Sequence, residues 1–169
     1  RRSIYKRLKK INNNMKEILT PEALLTNLKD VRALTRKVIE AFPEKDLFEF
    51  KIANLRPFSE MVEEFLRVLD YLFKERFQKQ HTLFLEGTFP TTKVEVLALW
   101  DRSTEILNRE WQKVGDYTQP LTIYQMTFSF TQWILYFIEN ESHHRGQGYT
   151  YLRALGIEPP FFWGRESFE

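Results

Sequence analysis

Cysteine is absent from this 169-residue chain. That removes disulfides, thiolate metal ligands and a cysteine nucleophile together, and it fits a reducing cytoplasm, the compartment expected here. No Gly-rich phosphate loop, no H-E-x-x-H and no G-x-S-x-G pattern occurs, so the common motif-borne chemistries have no foothold. Excess charge is missing too. The formal net charge is +2, which gives no global reason to expect a nucleic-acid binder. No apolar run is long enough to span a bilayer and no signal peptide is visible, so no membrane association is expected. Internal repeats and low-complexity segments are lacking as well. The chain opens on Arg1 rather than Met, as it would if preceding residues were missing.

What is present suffices for one domain with a real core. Fifteen Phe residues predict a ring-rich interior. Residues 1–19 form a basic N-terminal extension in which Arg1, Arg2, Lys6, Arg7, Lys9 and Lys10 alternate with Ile4, Tyr5, Leu8 and Ile11. It reads as a short solvated helix, with contact to nucleic acid or an acidic membrane surface as the sharper alternative. Residues 20–169 form the main domain. Thr20-Pro21-Glu22 starts a helix over about 21–42, with Leu24, Leu28, Val31, Leu34, Val38 and Phe42 inward, and Pro43 stops it. Residues 43–56 connect, with Leu47, Phe48, Phe50 and Ile52 laid over a bundle end. A second helix opens at Pro57 or Ser59, buries Phe58, Met61, Val62, Phe65, Leu69, Leu72 and Phe73, and fades near Gln80-His81. Thr92 and Glu95 make a capping box for a third helix with a Leu97, Trp100, Thr104, Leu107, Trp111, Val114 seam that Gly115 closes. A fourth helix is expected over about 122–154, with Thr122 and Gln125 as a second capping box and Gly156 as its stop. No strand pattern stands out. The prediction is an all-α domain, an up-down-down-up or related four-helix bundle with a short N-terminal helical extension.

One stretch of the last helix departs from core chemistry. Met126, Phe130, Trp133, Phe137, Asn140, His144, Gln147 and Tyr151 follow one another in steps of four and three, which keeps them on one face. Asn140 and His144 can therefore reach one point in space. Polar groups sent inward need a partner, which could be a side chain, a trapped water or a metal ion. Glu141 and His143 are adjacent but point away from that face. Arg145 and Gln147 read as structural, with Arg145 pairing an acid of a neighbouring helix. His81 reads as a surface histidine. Trp100, Trp111, Trp133, Tyr136 and Phe137 read as core, some of them lining a pocket mouth. Gly146 and Gly148 inside the helix predict close packing or a kink.

His143-His144-Arg145-Gly146-Gln147, followed by Tyr151-Leu152-Arg153-Ala154-Leu155-Gly156-Ile157-Glu158-Pro159-Pro160, resembles the signature end of the DinB/YfiT-like family of bacterial proteins. The resemblance runs from about residue 20 to 160. It implies a four-helix bundle, often a homodimer, that holds a divalent metal, usually nickel or zinc, through one residue of the second helix and two of the last. It also implies a stress-response setting and, in related members, transferases or isomerases that use a low-molecular-weight thiol. Carried onto this chain, the metal positions are Glu64, Asn140 and His144. The family more often has His at the first two, so the donor set is altered.

Two functions compete on this reading. One is a metal-dependent transferase or hydrolase of unknown small-molecule substrate, thiol-dependent in one form of the reading, with His143 and Glu141 moving protons. The other is a metal-free, non-catalytic bundle that serves as a binding or dimerisation module, its Glu64, Asn140 and His144 reduced to a hydrogen-bonded cluster. DNA contact through the N-terminal segment is a weaker third idea.

Overall fold

A computed structural model describes residues 18–78 and 84–164. Most of the basic extension, and His81, lie outside the described residues. Four long helices carry the structure: α1 (Pro21–Ala41), α3 (Phe58–Phe77), α4 (Lys93–Trp111) and α5 (Phe130–Ala154), with a short α2 (Glu44–Glu49) between the first two. Between α4 and α5 stands an antiparallel hairpin of β1 (Pro120–Ile123) and β2 (Met126–Ser129). The domain is mainly helical, as expected. Helix α1 packs on α5 and α4, and α3 packs on α5. The edge-to-face pair Phe65 and Trp100, 6.3 Å between ring centroids, links α3 to α4.

The helix starts follow local chemistry. The Thr20 hydroxyl accepts from the Ala23 amide at 3.2 Å with Pro21 in the first turn, which satisfies one of the amides a helix start leaves over. Thr92 accepts from the Glu95 amide. The return half of that box is missing, because the Glu95 carboxylate takes the Thr92 hydroxyl instead. Helix α3 ends on Gln78 in the left-handed conformation. The buried Asp70 carboxylate then draws the returning chain back by accepting from the amides of Phe84 and Leu85, at 2.7 and 2.9 Å.

Three expectations need correction. The first turns of the expected fourth helix are a hairpin. Leu121, Ile123 and Phe128 alternate with Thr122 and Thr127, and Ile123 pairs with Met126 across a two-residue turn. Tyr124 and Gln125 hold that turn at φ of 50° and 66°, where Asn-Gly would be the usual signal; without it the Met126 to Phe130 spacing reads as helix. The true capping box is Ser129 with Gln132, complete in both directions. The inward face of α4 is also rotated from the expected seam. Val96, Leu99, Ser103, Ile106 and Glu110 are buried beside Trp100, Leu107 and Trp111, while Leu97 and Thr104 are half-buried. In the connector, residues 44–49 form α2 and Ile52 is exposed.

Apolar side chains segregate into two clusters. One, near the hairpin, holds Phe73, Phe84, Trp111, Phe130 and Trp133. The other holds Phe42, Phe58, Phe65, Trp100 and Tyr151. Between their contributions along α1, α4 and α5 come polar residues: Arg32 and Thr35 on α1, Ser103 on α4, and Asn140, Glu141, His144 and Arg145 on α5, with Glu64 of α3, between Val62 and Phe65 of the second cluster, bonded to Asn140. The bundle thus has a polar layer at mid-height.

Only one of the two α5 glycines is needed for packing. A Cβ at position 148 would lie 2.7 Å from the Phe58 ring, whereas one at 146 meets nothing within 4 Å. Gly148→Ala should therefore cost about 1–3 kcal/mol by overpacking, while Gly146→Ala should stabilise by about 0.5–1 kcal/mol through helix propensity. Urea unfolding of the two variants beside the parent chain checks both signs.

Candidate functional site

The mid-height polar layer splits into two groups. The inner group is enclosed by α1, α4 and α5. Arg32 is buried, with its guanidinium 4.0 Å from the centre of the Trp100 ring. It donates to Thr104 Oγ1 at 3.3 Å and to Ser103 Oγ. Burial, against the charges of Glu141 and Asp101, brings its pKa down to about 10. Glu141 accepts from the Thr35 hydroxyl at 2.5 Å. Burial pushes its carboxyl up, opposed by the charge of Arg32, the Thr35 bond and the charge of Arg145. Arg145 donates to the Val31 carbonyl at 3.1 Å and to Thr35 Oγ1 at 3.3 Å. Glu141 is therefore part of the core between α1 and α5, and Arg145 binds helix α1 through a carbonyl and a hydroxyl.

The outer group lies on the half-buried seam of α3 and α5. It brings together Glu64, Asn140 and His144, the three positions singled out from the sequence. Asn140 Nδ2 is 3.0 Å from Glu64 Oε1, and His144 Nε2 is 3.6 Å from the same oxygen. Arg56 joins them, donating from Nη2 to Glu64 Oε2 and approaching His144 Nε2 at 3.3 Å. His144 Nδ1 stands 2.8 Å from Gln147 Oε1. An amide oxygen only accepts, so the ring proton belongs on Nδ1, and Nε2 carries the lone pair that meets Arg56. Phe65 walls the histidine, 6.0 Å between rings. Burial would raise the Glu64 carboxyl, but hydrogen bonds from Arg56 and Asn140 and the charge of Arg56 outweigh it and hold the group low. At the hairpin tip, Tyr124 packs on Tyr71 at 5.2 Å. Burial, Tyr71 and the Glu64 charge push its phenol up to about 12.

The proton-moving candidates do not join this seam. His143 is exposed and touches it only through an edge contact of its ring with His144, 4.9 Å between centroids. Glu141 belongs to the inner group. Two participants escaped sequence reasoning. Arg56 stands eight residues before Glu64, ahead of the helix, where no buried stripe marks it. Arg32 falls on the Leu28, Arg32, Thr35 spacing of the buried stripe of α1, and a charge on such a stripe was the available signal.

The donor set can be compared with what a divalent ion needs. Such an ion takes oxygen or imidazole lone pairs. Asn140 turns its amide NH2 toward Glu64, because a carboxylate only accepts. The Glu64 Oε2 and His144 Nε2 lone pairs already receive Arg56. Among the described residues, no group of three or more His, Cys, Asp or Glu gathers as a metal site. The residues as arranged do not fit a bound metal, and no chemical step is routed through one.

A helical bundle with an α3–α5 polar seam and an inserted hairpin is the class these features define. The sequence profile of the DinB family matches residues 12–167, and the chain belongs to that family. The fold is similar to that of a DinB-like protein from Bacillus cereus ATCC 10987, at 16% identity and a TM-score of 0.66, over 84% of this chain and 97% of that one. It is also similar to the DinB-like protein YjoA from Bacillus subtilis, at 18% identity and a TM-score of 0.60, over 82% and 96%. No curated protein matches. Among the described residues, no helix is long and apolar enough to cross a membrane.

Proposed function

We propose that this DinB-family chain is a metal-free, non-catalytic binding or dimerisation module. The observation that carries the reading is the mutual satisfaction of the seam. The Asn140 NH2, both Glu64 oxygens and both His144 nitrogens already have partners inside the protein. A set closed on itself in this way ties α3 to α5 and engages each of these atoms within the protein. The metal-dependent transferase or hydrolase reading would need those bonds broken and Asn140 turned over. The surface supplies what a binding module uses: Tyr71, Tyr124, Met126, Leu135 and Tyr136 are exposed on the hairpin and on the helices beside it. Aromatic side chains of this kind anchor interfaces. A second copy of the chain is the partner proposed.

Two measurements test the reading. Thermal unfolding of the parent chain should not shift with nickel, zinc, manganese or cobalt, since only a ligand of the folded state raises the midpoint. A rise that grows with metal concentration would return the enzyme reading to first place. Sedimentation equilibrium should show self-association that Tyr136→Glu weakens. A chain that stays monomeric at roughly 100 µM, far above the Kd a specific interface of about 1,600 Å² provides, removes dimerisation.

A further inference from the structure

The gap a metal ion would leave in the seam is filled from within the chain. Arg56 stands two residues ahead of α3, and its carbonyl accepts from the Tyr151 hydroxyl at 3.1 Å. That bond pins its backbone to α5. Its side chain then runs along the first two turns of α3 to Glu64. There a single nitrogen, Nη2, meets both Glu64 Oε2 and His144 Nε2. A guanidinium nitrogen of this type carries two hydrogens, enough for both acceptors. With its proton on Nδ1, His144 has a single lone pair, on Nε2, so a cation bound there would have to displace Arg56.

We infer that Arg56 is the resident cation of the α3–α5 seam: it occupies the position between Glu64 and His144 that a divalent ion would take, and it excludes that ion. The inference rests on the metal-free reading above and adds the residue responsible. Tethering holds the guanidinium beside its acceptors at a high effective concentration. A divalent ion has to displace it, shed its own water and turn Asn140. Asn140 is the second obstacle, because it offers an amide hydrogen where a ligand must offer a lone pair.

The experiment follows from separating the two obstacles. The parent chain, Asn140→His, and the pair Arg56→Met with Asn140→His are dialysed against zinc or nickel chloride, and bound metal is counted per chain. Methionine keeps an unbranched apolar stem and drops the charge. The pair of substitutions should hold about one ion per chain, at least roughly tenfold more tightly than Asn140→His alone, as a carboxylate with two imidazoles suits these ions. The parent chain should hold none. If Asn140→His alone binds as tightly as the pair, Arg56 is no obstacle and the inference is wrong. If the pair stays helical by circular dichroism and still binds nothing, the inference is equally wrong. Should the methionine variant fail to fold, Arg56→Gln with Asn140→His takes its place with the same readout. Stoichiometric metal on the parent chain overturns both this inference and the metal-free reading. An empty parent chain with an empty double variant overturns this inference alone.

Discussion

Trp100→Ala is expected to lower the stability of the fold by about 3–5 kcal/mol, the range for removing a large buried aromatic. Trp100 joins the polar layer to the apolar cluster beside it. Its indole is buried, meets Phe65 edge to face, and donates from Nε1 to the Arg32 carbonyl at 3.2 Å. Its ring face also carries the Arg32 guanidinium. Within the inner group, Arg32 Nη1 donates to no acceptor among the described residues, so the indole face is a main part of what that nitrogen's side of the cation meets. A desolvated cation over an aromatic ring contributes about 2 kcal/mol. Removing the ring opens a cavity and leaves a buried positive charge less well matched. Against a typical total of about 5–15 kcal/mol, the variant sits near the limit of folding, and its midpoint should fall by roughly 10 °C or more. Trp100→Phe keeps a ring for Arg32 and should lose less than half as much. Equal losses for the two variants would mean that the indole N–H matters and that neither the ring face offered to Arg32 nor the ring volume does. Thermal and urea unfolding of both proteins decide it.

The same layer shows how far sequence reasoning reached. Periodicity was informative wherever a stripe is apolar. The starts at Thr20 and Thr92, the stops at Pro43 and Gly115, and the inward faces of α1 and α3 follow from spacing and capping alone, because burial and hydrogen-bond satisfaction act there locally. The hairpin was missed because its turn uses Tyr124 and Gln125 at positive φ. Tertiary packing of the strands beside α3 compensates for a conformation that non-glycine residues rarely adopt. The convergence of Glu64 and Asn140 with His144 was legible as shared helix faces plus a family motif. The cation among them was not, since Arg56 lies outside any helix and reaches its partners by the length of its side chain. Glu141 shows the opposite error. One residue along from Asn140 turns the side chain by 100° or so, out of the seam and into α1, so adjacency in sequence meant separation in space.

Glu141→Ala should be as costly as the tryptophan deletion, about 3–5 kcal/mol, because it removes the carboxylate from a buried set that also holds Arg32 and Arg145. The isosteric Glu141→Gln separates charge from hydrogen bonding, and its effect depends on pH in a direction that can be derived. Burial raises the folded-state pKa of Glu141 above its ordinary 4.5. The folded protein therefore holds that proton more tightly than the unfolded chain. The stabilisation linked to this proton is complete below the unfolded value and is lost as pH rises through the folded one. Glutamine stays neutral at every pH and lacks that slope, so the deficit of Glu141→Gln relative to the parent chain should shrink from pH 4 towards neutrality. Glu64 works in the other direction. Its folded pKa is lowered, so its contribution is complete above the ordinary 4.5 and disappears as pH falls through the folded value. Glu64→Gln should lower stability at neutral pH, where the Arg56 pair is intact, and flatten the acid side of the curve, so its deficit shrinks as pH falls. Urea midpoints of the parent chain and the two glutamine variants between about pH 3 and 8, the span over which carboxyl groups titrate, check both slopes. A deficit for Glu141→Gln that instead grew towards neutral pH would mean that Arg32 and Arg145 outweigh burial and hold the Glu141 carboxylate ionised.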